Sequence, residues 1–202
     1  MSRLEILGLA GSFSVPSKTR RLVEEAVART VSRFGGRSKV IDLSQLGPAF
    51  AAARDVRDLT GGGSDAVSHI IEARVLVIGT PVYKGSYPGL FKHLFDLLDP
   101  AALAGKPVLL AATGGGDKHA LVIEHHLRPL FGFFEAQTLA TGVYASDRDF
   151  SGGEIISPAL IARLDRAVGQ FEPNLQKDER HLPLAARIER WRGAAEPIAA
   201  NS

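Results

Sequence analysis

The chain has 202 residues, 45% of them apolar, which is enough for one α/β domain with a sizeable core. It has no cysteine, which excludes disulfides, thiolate metal sites and cysteine nucleophiles, so any redox chemistry requires a cofactor. The formal net charge of +2 comes without a concentrated run of Lys and Arg, which argues against nucleic-acid binding. With no signal-type segment and no apolar run of about 18 residues, we expect a cytoplasmic protein that does not bind membranes.

Residues 5–19 predict a buried strand that leads into a loop of small, hydroxylated and basic residues. Apolar residues then recur at three-to-four-residue spacing from Leu22 to Phe34, which predicts an amphipathic helix. Unpaired N–H groups and the helix dipole face such a loop, so the segment predicts an anion site. A loop that only caps the helix is the alternative.

The loop lacks two familiar nucleotide patterns. Neither the GxxxxGK[ST] pattern of nucleoside triphosphate sites nor the dinucleotide pattern GxGxxG is present. Four hydroxyl residues are available instead: Ser12, Ser14, Ser17 and Thr19. They favour a terminal phosphate surrounded on all sides, which indicates a mononucleotide such as FMN.

Strands and helices alternate along the rest of the chain. Further strands are predicted at 39–43, 74–80, 106–113 and 138–145. Helices are predicted over 64–71 with Ser64 as cap, over 90–98 with Gly105 marking the end, over 119–135, and after Ser157. This order predicts an α/β fold with a five-stranded parallel sheet and helices on both faces. We place this domain at 1–171 and treat 172–202 as a C-terminal extension, either mobile or in contact with another subunit.

Three predicted loops converge at the carboxyl ends of strands, where open parallel sheets bind ligands. They are residues 11–19, 80–89 and 113–119. The second loop offers tyrosines and amides to a flat ring, and the three consecutive glycines of the third let its backbone lie close to a ligand. Together the loops describe a flavin mononucleotide site.

The same loops carry a family resemblance. Leu9-Ala10-Gly11-Ser12 with Ser17-Lys18-Thr19, Thr80-Pro81-Val82-Tyr83-Lys84 and Ala112-Thr113-Gly114-Gly115 resemble the NAD(P)H-dependent FMN reductase family. More narrowly, TPVYKGSYPGLFKHLFDLL and ATGGGDKHALVIEHHLRPL resemble the reductases of two-component sulfonate monooxygenases, the methanesulfonate and alkanesulfonate types. The resemblance implies a flavodoxin-like fold and hydride transfer from NAD(P)H to N5 of FMN.

The resemblance also implies which residues hold the cofactor. The phosphate would be held by Ser12, Ser17, Lys18 and Thr19, with Ser14 a weaker candidate. The isoalloxazine would be lined by Pro81, Val82, Tyr83, Lys84, Thr113, Gly114 and Gly115. Hydride transfer needs stacking at short distance more than acid or base chemistry, so no catalytic side chain is assigned.

His125 and His126 lie where alkanesulfonate-type reductases carry an inserted tyrosine that forms a π-bulge at a subunit interface. His125 is the better-aligned counterpart, and a histidine there resembles the methanesulfonate-type enzymes. One interpretation is that these residues shape the oligomer interface and flavin exchange. The other is two surface or core histidines on an ordinary helix. No metal site is predicted, because adjacent helical residues point about 100° apart and no third ligand is evident.

Three functions follow from the resemblance and the charge. The leading one is an FMN reductase, a homodimer or homotetramer, that passes reduced FMN to a transient partner, an FMN-dependent monooxygenase. The second keeps FMN bound and reduces a quinone, azo compound or chromate. The third, a flavodoxin-type electron carrier, is disfavoured because such carriers are strongly acidic, whereas this chain has 24 Lys+Arg against 22 Asp+Glu. Both NADH and NADPH remain open as reductants.

Overall fold

The computed structural model describes residues 4–176, so most of the predicted extension at 172–202 lies outside the described residues. The strands are β1 Glu5–Ala10, β2 Arg37–Asp42, β3 Val75–Pro81, β4 Pro107–Gly114, β5 Gln137–Thr138, β6 Val143–Ser146, β7 Phe150–Ser151 and β8 Glu154–Ile155. The helices are α1 Lys18–Phe34, α2 Gly62–Glu72, α3 Gly89–Asp96, α4 Arg128–Phe133, α5 Pro158–Gly169 and α6 Glu172–Gln176, with a π-helix at Ile123–Leu127 directly before α4. No helix in this part of the chain is long and apolar enough to cross a bilayer.

The main sheet is parallel and has the strand order β2-β1-β3-β4-β5, with β6 also paired to β4. This order is that of flavodoxin-like folds, in which the direction of strand addition reverses between β1 and β3. The prediction of a flavodoxin-like α/β fold is confirmed. β7 and β8 form a separate antiparallel hairpin after β6.

The predicted fifth strand at 138–145 is interrupted. β5 pairs with the start of β4 and β6 with its end, and the chain between them leaves the ladder. A side chain at Gly142 would come within 2.7 Å of Ile123 of the π-helix, so the break lies tightly against that helix. Arg128 donates to the carbonyls of Leu139 and Ala140, and Arg163 donates to that of Gly142. These arginines satisfy carbonyls at the break.

The sheet separates two apolar layers, because alternate residues of its strands point to opposite faces. One layer packs with α2, α3 and α4 and includes the strand residues Leu7, Leu9, Leu76, Ile78 and Leu110. The other packs with α1 and α5 and includes Ile6, Val75, Val77, Leu109 and Ala111. Burial on both faces explains why these strands appear in the sequence as continuous apolar runs.

Three predicted helices have wrong boundaries. The helix predicted over 119–135 is instead a 3-10 turn at Asp117–His119, the π-helix at Ile123–Leu127 and α4 at Arg128–Phe133. α2 starts at Gly62, so Ser64 lies inside the helix and Gly61 occupies the cap position. A Cβ at Gly62 would lie 2.0 Å from the Gln45 carbonyl oxygen, which shows how closely this helix start meets the preceding loop. α3 ends at Asp96, and Gly105 follows a separate 3-10 turn at Pro100–Leu103. The helix predicted after Ser157 is confirmed as α5, and the Ser157 Oγ caps it by accepting the Leu160 N–H.

Candidate active site

The carboxyl ends of the central strands bring the three predicted loops together. The Gly11 N–H donates to the Gly79 carbonyl at 2.7 Å, which joins the loop after β1 to the end of β3. The Val82 N–H donates to the Thr113 carbonyl at 2.8 Å, which joins the loops after β3 and β4. The loops therefore form one surface at the β1/β3 reversal.

The loop after β1 is built around two serines. Ser12 is buried, and its Oγ accepts the Ser14 N–H at 3.1 Å. Ser17 caps α1, with its Oγ accepting the Arg20 N–H at 3.1 Å. The first-turn N–H groups of Lys18 and Thr19 have no acceptor within residues 4–176. Unpaired helix N–H groups beside hydroxyls are suited to binding a phosphate.

Thr19 ties this loop to the sheet. Its Oγ1 lies 2.6 Å from Oγ1 of Thr113 in a buried hydrogen bond. Both residues belong to the predicted site, and in this bond one hydroxyl donates while the other accepts. The bond joins α1 to β4, and the Thr19 N–H stays available to a ligand.

Two glycines allow close packing beneath the loop. A Cβ at Gly79 would lie 2.5 Å from Cγ2 of Val23, a buried residue of α1. A Cβ at Gly11 would lie 2.5 Å from Cδ2 of Phe91, which is buried in α3. Contacts this short leave no room for a methyl group, so the absence of side chains lets α1 and α3 approach the strand ends.

The loop after β3 forms a tight turn that presents an aromatic ring. Tyr83 and Ser86 exchange backbone hydrogen bonds of 2.8 and 3.1 Å. Between them Lys84 and Gly85 both have positive φ, 52° and 86°, as in the type I′ hairpin turn. The Tyr83 side chain is 46% exposed, and its hydroxyl lies 3.5 Å from Oγ of Ser14. This ring therefore stands beside the phosphate loop, accessible to a flat ligand.

At the end of β4, where the third loop begins, Gly114 packs directly against Tyr144 and leaves no room for a side chain. A Cβ at Gly114 would lie 2.3 Å from the hydroxyl of Tyr144, which donates to the Gly116 carbonyl at 2.6 Å. Burial, followed by the negative charges of Asp117, Asp147 and Asp149, raises the pKa of Tyr144 above its ordinary value. Gly115 remains exposed. A ligand can approach the backbone there.

A fourth loop, after β6, also belongs to this surface and was not predicted. Lys18 Nζ lies 2.8 Å from Oδ1 of Asp147, and Arg148 pairs with Asp117 at 2.6 Å. These ion pairs link the fourth loop to the first and third loops. The position of residues 147–149 after a predicted parallel strand was the signal that could have identified them.

The two histidines lie in the π-helix rather than in an ordinary α-helix. His125 is exposed, whereas His126 is half-buried, with Nδ1 3.0 Å from Oγ of Ser86. The ring of Tyr87 lies edge-on to His126, with centroids 6.2 Å apart. Thus only His126 contacts the loop after β3, and the predicted role of both residues in interface and flavin exchange stays a prediction.

Both histidines also line a groove of about 600 Å³ between α3, the π-helix and α4. The apolar part of its lining is Tyr87, Phe95, Leu98, Pro100, Pro129, Leu130, Phe133 and Phe134. Phe133 is 68% exposed at this surface. The groove lies on the face of the domain that carries the π-helix. Tyr87, which belongs to the loop after β3, is part of its lining.

The residues at the strand ends fit FMN. Hydroxyls and free helix N–H groups suit its phosphate, while an exposed tyrosine and a glycine backbone suit its ring. Flavodoxin-like domains bind FMN at the β1/β3 switch point, so fold and site define a flavoprotein of this class.

The chain belongs to the NADPH-dependent FMN reductase family, whose pattern matches residues 4–151. It is 43% identical over 174 residues to the NADH-dependent FMN reductase SfnF of Pseudomonas fluorescens, covering 86% of this chain and 93% of that protein. It is 41% identical over 172 residues to the FMN reductase (NADPH) of Pseudomonas aeruginosa, covering 85% and 92%. The apo form of the NADH:FMN oxidoreductase EMOB superimposes with a TM-score of 0.76 at 29% identity, covering 85% and 89%.

A more distant relative has another substrate in its name. The Quinone reductase of Escherichia coli is 30% identical over 116 residues, which cover 54% of this chain and 62% of that protein. The family and the relatives with higher coverage identify this chain as an NAD(P)H:FMN oxidoreductase that uses FMN and NAD(P)H.

Proposed function

We propose that the chain reduces FMN and releases it to a separate FMN-dependent monooxygenase that acts in sulfonate or organosulfur utilisation. Similarity to relatives named for FMN as the substrate carries this proposal: the chain is 43% identical to the NADH-dependent FMN reductase SfnF over 86% of its length. The segments at 80–98 and 112–130, which resemble reductases of two-component systems, support it. The expected cytoplasmic location belongs to the same proposal.

Within this proposal, different loops bind the phosphate and the isoalloxazine ring of FMN. Ser12, Ser14, Ser17, Lys18 and Thr19 hold the phosphate. Pro81 to Lys84 and Thr113 to Gly115 line the isoalloxazine, which accepts the hydride at N5. The protein contributes by fixing the ring so that the nicotinamide can stack on it, and no side chain transfers a proton.

We also propose that the chain forms a homodimer or homotetramer through the groove beside the π-helix. The apolar lining of the groove and the exposed ring of Phe133 support this proposal, because such patches mark interaction surfaces. Analytical ultracentrifugation of wild type and Phe133→Ser tests it. A wild type that is monomeric at micromolar concentration would refute it.

The flavin-supply proposal is tested by anaerobic titration with FMN, before and after reduction by NAD(P)H, with flavin absorbance as the readout. We expect reversible binding, loss of FMN on dialysis, and NAD(P)H oxidation restored in proportion to added FMN. Tight retention of FMN in both redox states would contradict release to a partner.

A second candidate is an FMN-retaining quinone reductase, favoured by the similarity to the Escherichia coli enzyme of that name. This candidate predicts quinone reduction that survives dialysis without added FMN. Steady-state rates with a quinone before and after dialysis therefore separate the two functions.

A further inference from the structure

The two arginines that directly follow the phosphate loop are already paired with carboxylates. Arg20 pairs with Glu24 and with Asp42, which is buried. Arg21 pairs with Glu25 and Glu154. The charges of these arginines are therefore balanced by partners of their own before a phosphate enters the loop.

Lys18 differs from these arginines because its partner comes from another loop of the site. Its Nζ lies 2.8 Å from Oδ1 of Asp147, the first residue after β6. Oδ2 of the same carboxylate lies 4.0 Å from the position that a Cβ at Gly115 would take. The carboxylate thus stands between the phosphate loop and the loop after β4.

We propose that Asp147 competes with the FMN phosphate for the Lys18 ammonium and so keeps FMN exchangeable. This inference rests on the proposed function. Asp147 is a positioning residue for Lys18: the ammonium either stays with the carboxylate or turns to the phosphate, and the unpaired Asp147 then repels the phosphate. Both effects weaken the binding of FMN without touching its ring.

Two observations support an exchangeable pair. The side chains of Lys18 and Asp147 are 45% and 62% exposed, so water solvates both when they separate. Asp117 and Asp149 add negative charge near Asp147, and after burial these three carboxylates raise the pKa of Tyr144. This charge opposes a dianionic ligand at the same end of the sheet, while Lys18 and Arg148 offset part of it.

The test is the affinity of Asp147→Asn for FMN and for riboflavin, which lacks the phosphate, measured by flavin fluorescence. We expect FMN to bind about threefold to fivefold more tightly at low salt, as befits one exposed ion pair. Riboflavin affinity should not change. In about 1 M salt the Debye length is about 3 Å, so charge interactions are screened and the increase in FMN affinity should largely vanish.

Asp165→Asn is the matched control. Asp165 pairs with Arg29 of α1, so this substitution changes net charge equally and also removes an exposed partner of an α1 cation. It should leave both affinities unchanged. A gain equal to that of Asp147→Asn would trace the effect to net charge and would overturn the inference.

A double-mutant cycle with Lys18→Met tests whether Asp147 changes FMN affinity through Lys18. If Asp147 acts through Lys18, the gain from Asp147→Asn should be smaller in the Lys18→Met background. An unchanged or weakened FMN affinity of Asp147→Asn, with wild type binding FMN, overturns the inference and leaves the FMN reductase function intact. Wild type that fails to bind FMN would instead overturn the flavin site itself.

Discussion

The phosphate end and the ring end of the candidate site are held in place by different means. At the phosphate end, Ser12 and Thr19 are buried, and the Thr19–Thr113 hydrogen bond joins α1 to β4. At the ring end, the turn between Tyr83 and Ser86 is exposed and is linked to the π-helix through His126. The core fixes one end, while the helix beside the groove supports the other.

The phosphate end is therefore preorganised for its ligand, whereas the ring end can adjust. A loop fixed by buried contacts binds its ligand without a new ordering cost, whereas a turn held by a few surface contacts responds to whatever touches those contacts. We therefore expect substitutions under the phosphate loop to affect stability and binding together. Substitutions at the ring end should affect flavin binding with little loss of stability.

The largest effect is expected from Gly79→Ala. The new methyl group would overlap Cγ2 of Val23 and push α1 away from β3. We expect the free energy of unfolding to fall by about 1–3 kcal/mol, as for other overpacked cores, and FMN affinity to fall with it. Urea unfolding and FMN titration measure both quantities.

Gly132→Ala is the control for that substitution. Gly132 lies in α4, and outside its own helix no heavy atom of residues 4–176 lies within 4 Å of the position that a Cβ would take. Alanine there should be neutral or stabilising by up to about 1 kcal/mol. If Gly79→Ala proved as stable as wild type, close packing of α1 would not be what fixes the phosphate loop.

The next effect is expected from Ser17→Ala, compared with Ser157→Ala. Both serines cap helices through their Oγ atoms, at the start of α1 and of α5. Each substitution should cost about 1 kcal/mol of stability. Only Ser17→Ala should also weaken FMN relative to riboflavin, because only Ser17 lies in the phosphate loop. Equal flavin affinities in the two variants would exclude Ser17 as a phosphate ligand.

At the ring end, Ser86→Ala and His126→Ala should weaken FMN and riboflavin alike. Each removes the side-chain hydrogen bond between the turn after β3 and the π-helix, and the loss of one such bond corresponds to about twofold to fivefold in affinity. His69→Ala is the control, since the His69 ring bonds Asp65 and Lys39 rather than the turn or the groove. A change confined to FMN would show that the effect comes from the phosphate end instead.

The smallest effect concerns the π-helix itself. Arg128 donates two hydrogen bonds to Glu124 and, together with its charge, lowers the pKa of Glu124 below the ordinary value despite partial burial. A carboxylate whose pKa is lower in the folded state than in the unfolded state stabilises the fold at pH values above the unfolded-state pKa. That stabilisation is lost as the pH falls through the folded-state pKa. Glu124→Gln should therefore cost about 0.5 kcal/mol at pH 7.

The pH profile checks this assignment. The difference in unfolding free energy between wild type and Glu124→Gln should shrink as pH falls below about 4.3, the ordinary pKa of glutamate. Urea unfolding at pH 7 and at pH 3.5 measures it. A difference that stays constant with pH would mean that the charge of Glu124 does not stabilise the π-helix.

The sequence predicted the order of strands and helices because the central strands are buried on both faces and therefore form apolar runs. It could not predict the interruption of the fifth strand, because residues 138–145 look apolar locally. The break depends on contacts with Ile123, Arg128 and Arg163, which lie elsewhere in the chain.

The candidate site was partly predictable for the same reason. Loops that follow apolar strands were identified with their serines, tyrosines and glycines, whereas Asp147 follows the interrupted strand and was missed. Its link to Lys18 spans 129 positions along the chain and has no local pattern. The start of α2 was also missed, because it depends on contact between Gly62 and the Gln45 carbonyl rather than on a capping side chain.

The interrupted fifth strand also bears on how copies of this chain can meet. A long, regular edge strand offers a row of free backbone groups to which another chain can add, and this is a common route to aggregation. Here β5 and β6 are two and four residues long, and arginine side chains cover carbonyls between them. This edge is therefore a poor template for strand addition, in keeping with our proposal that copies of this chain associate through side chains at the groove beside the π-helix.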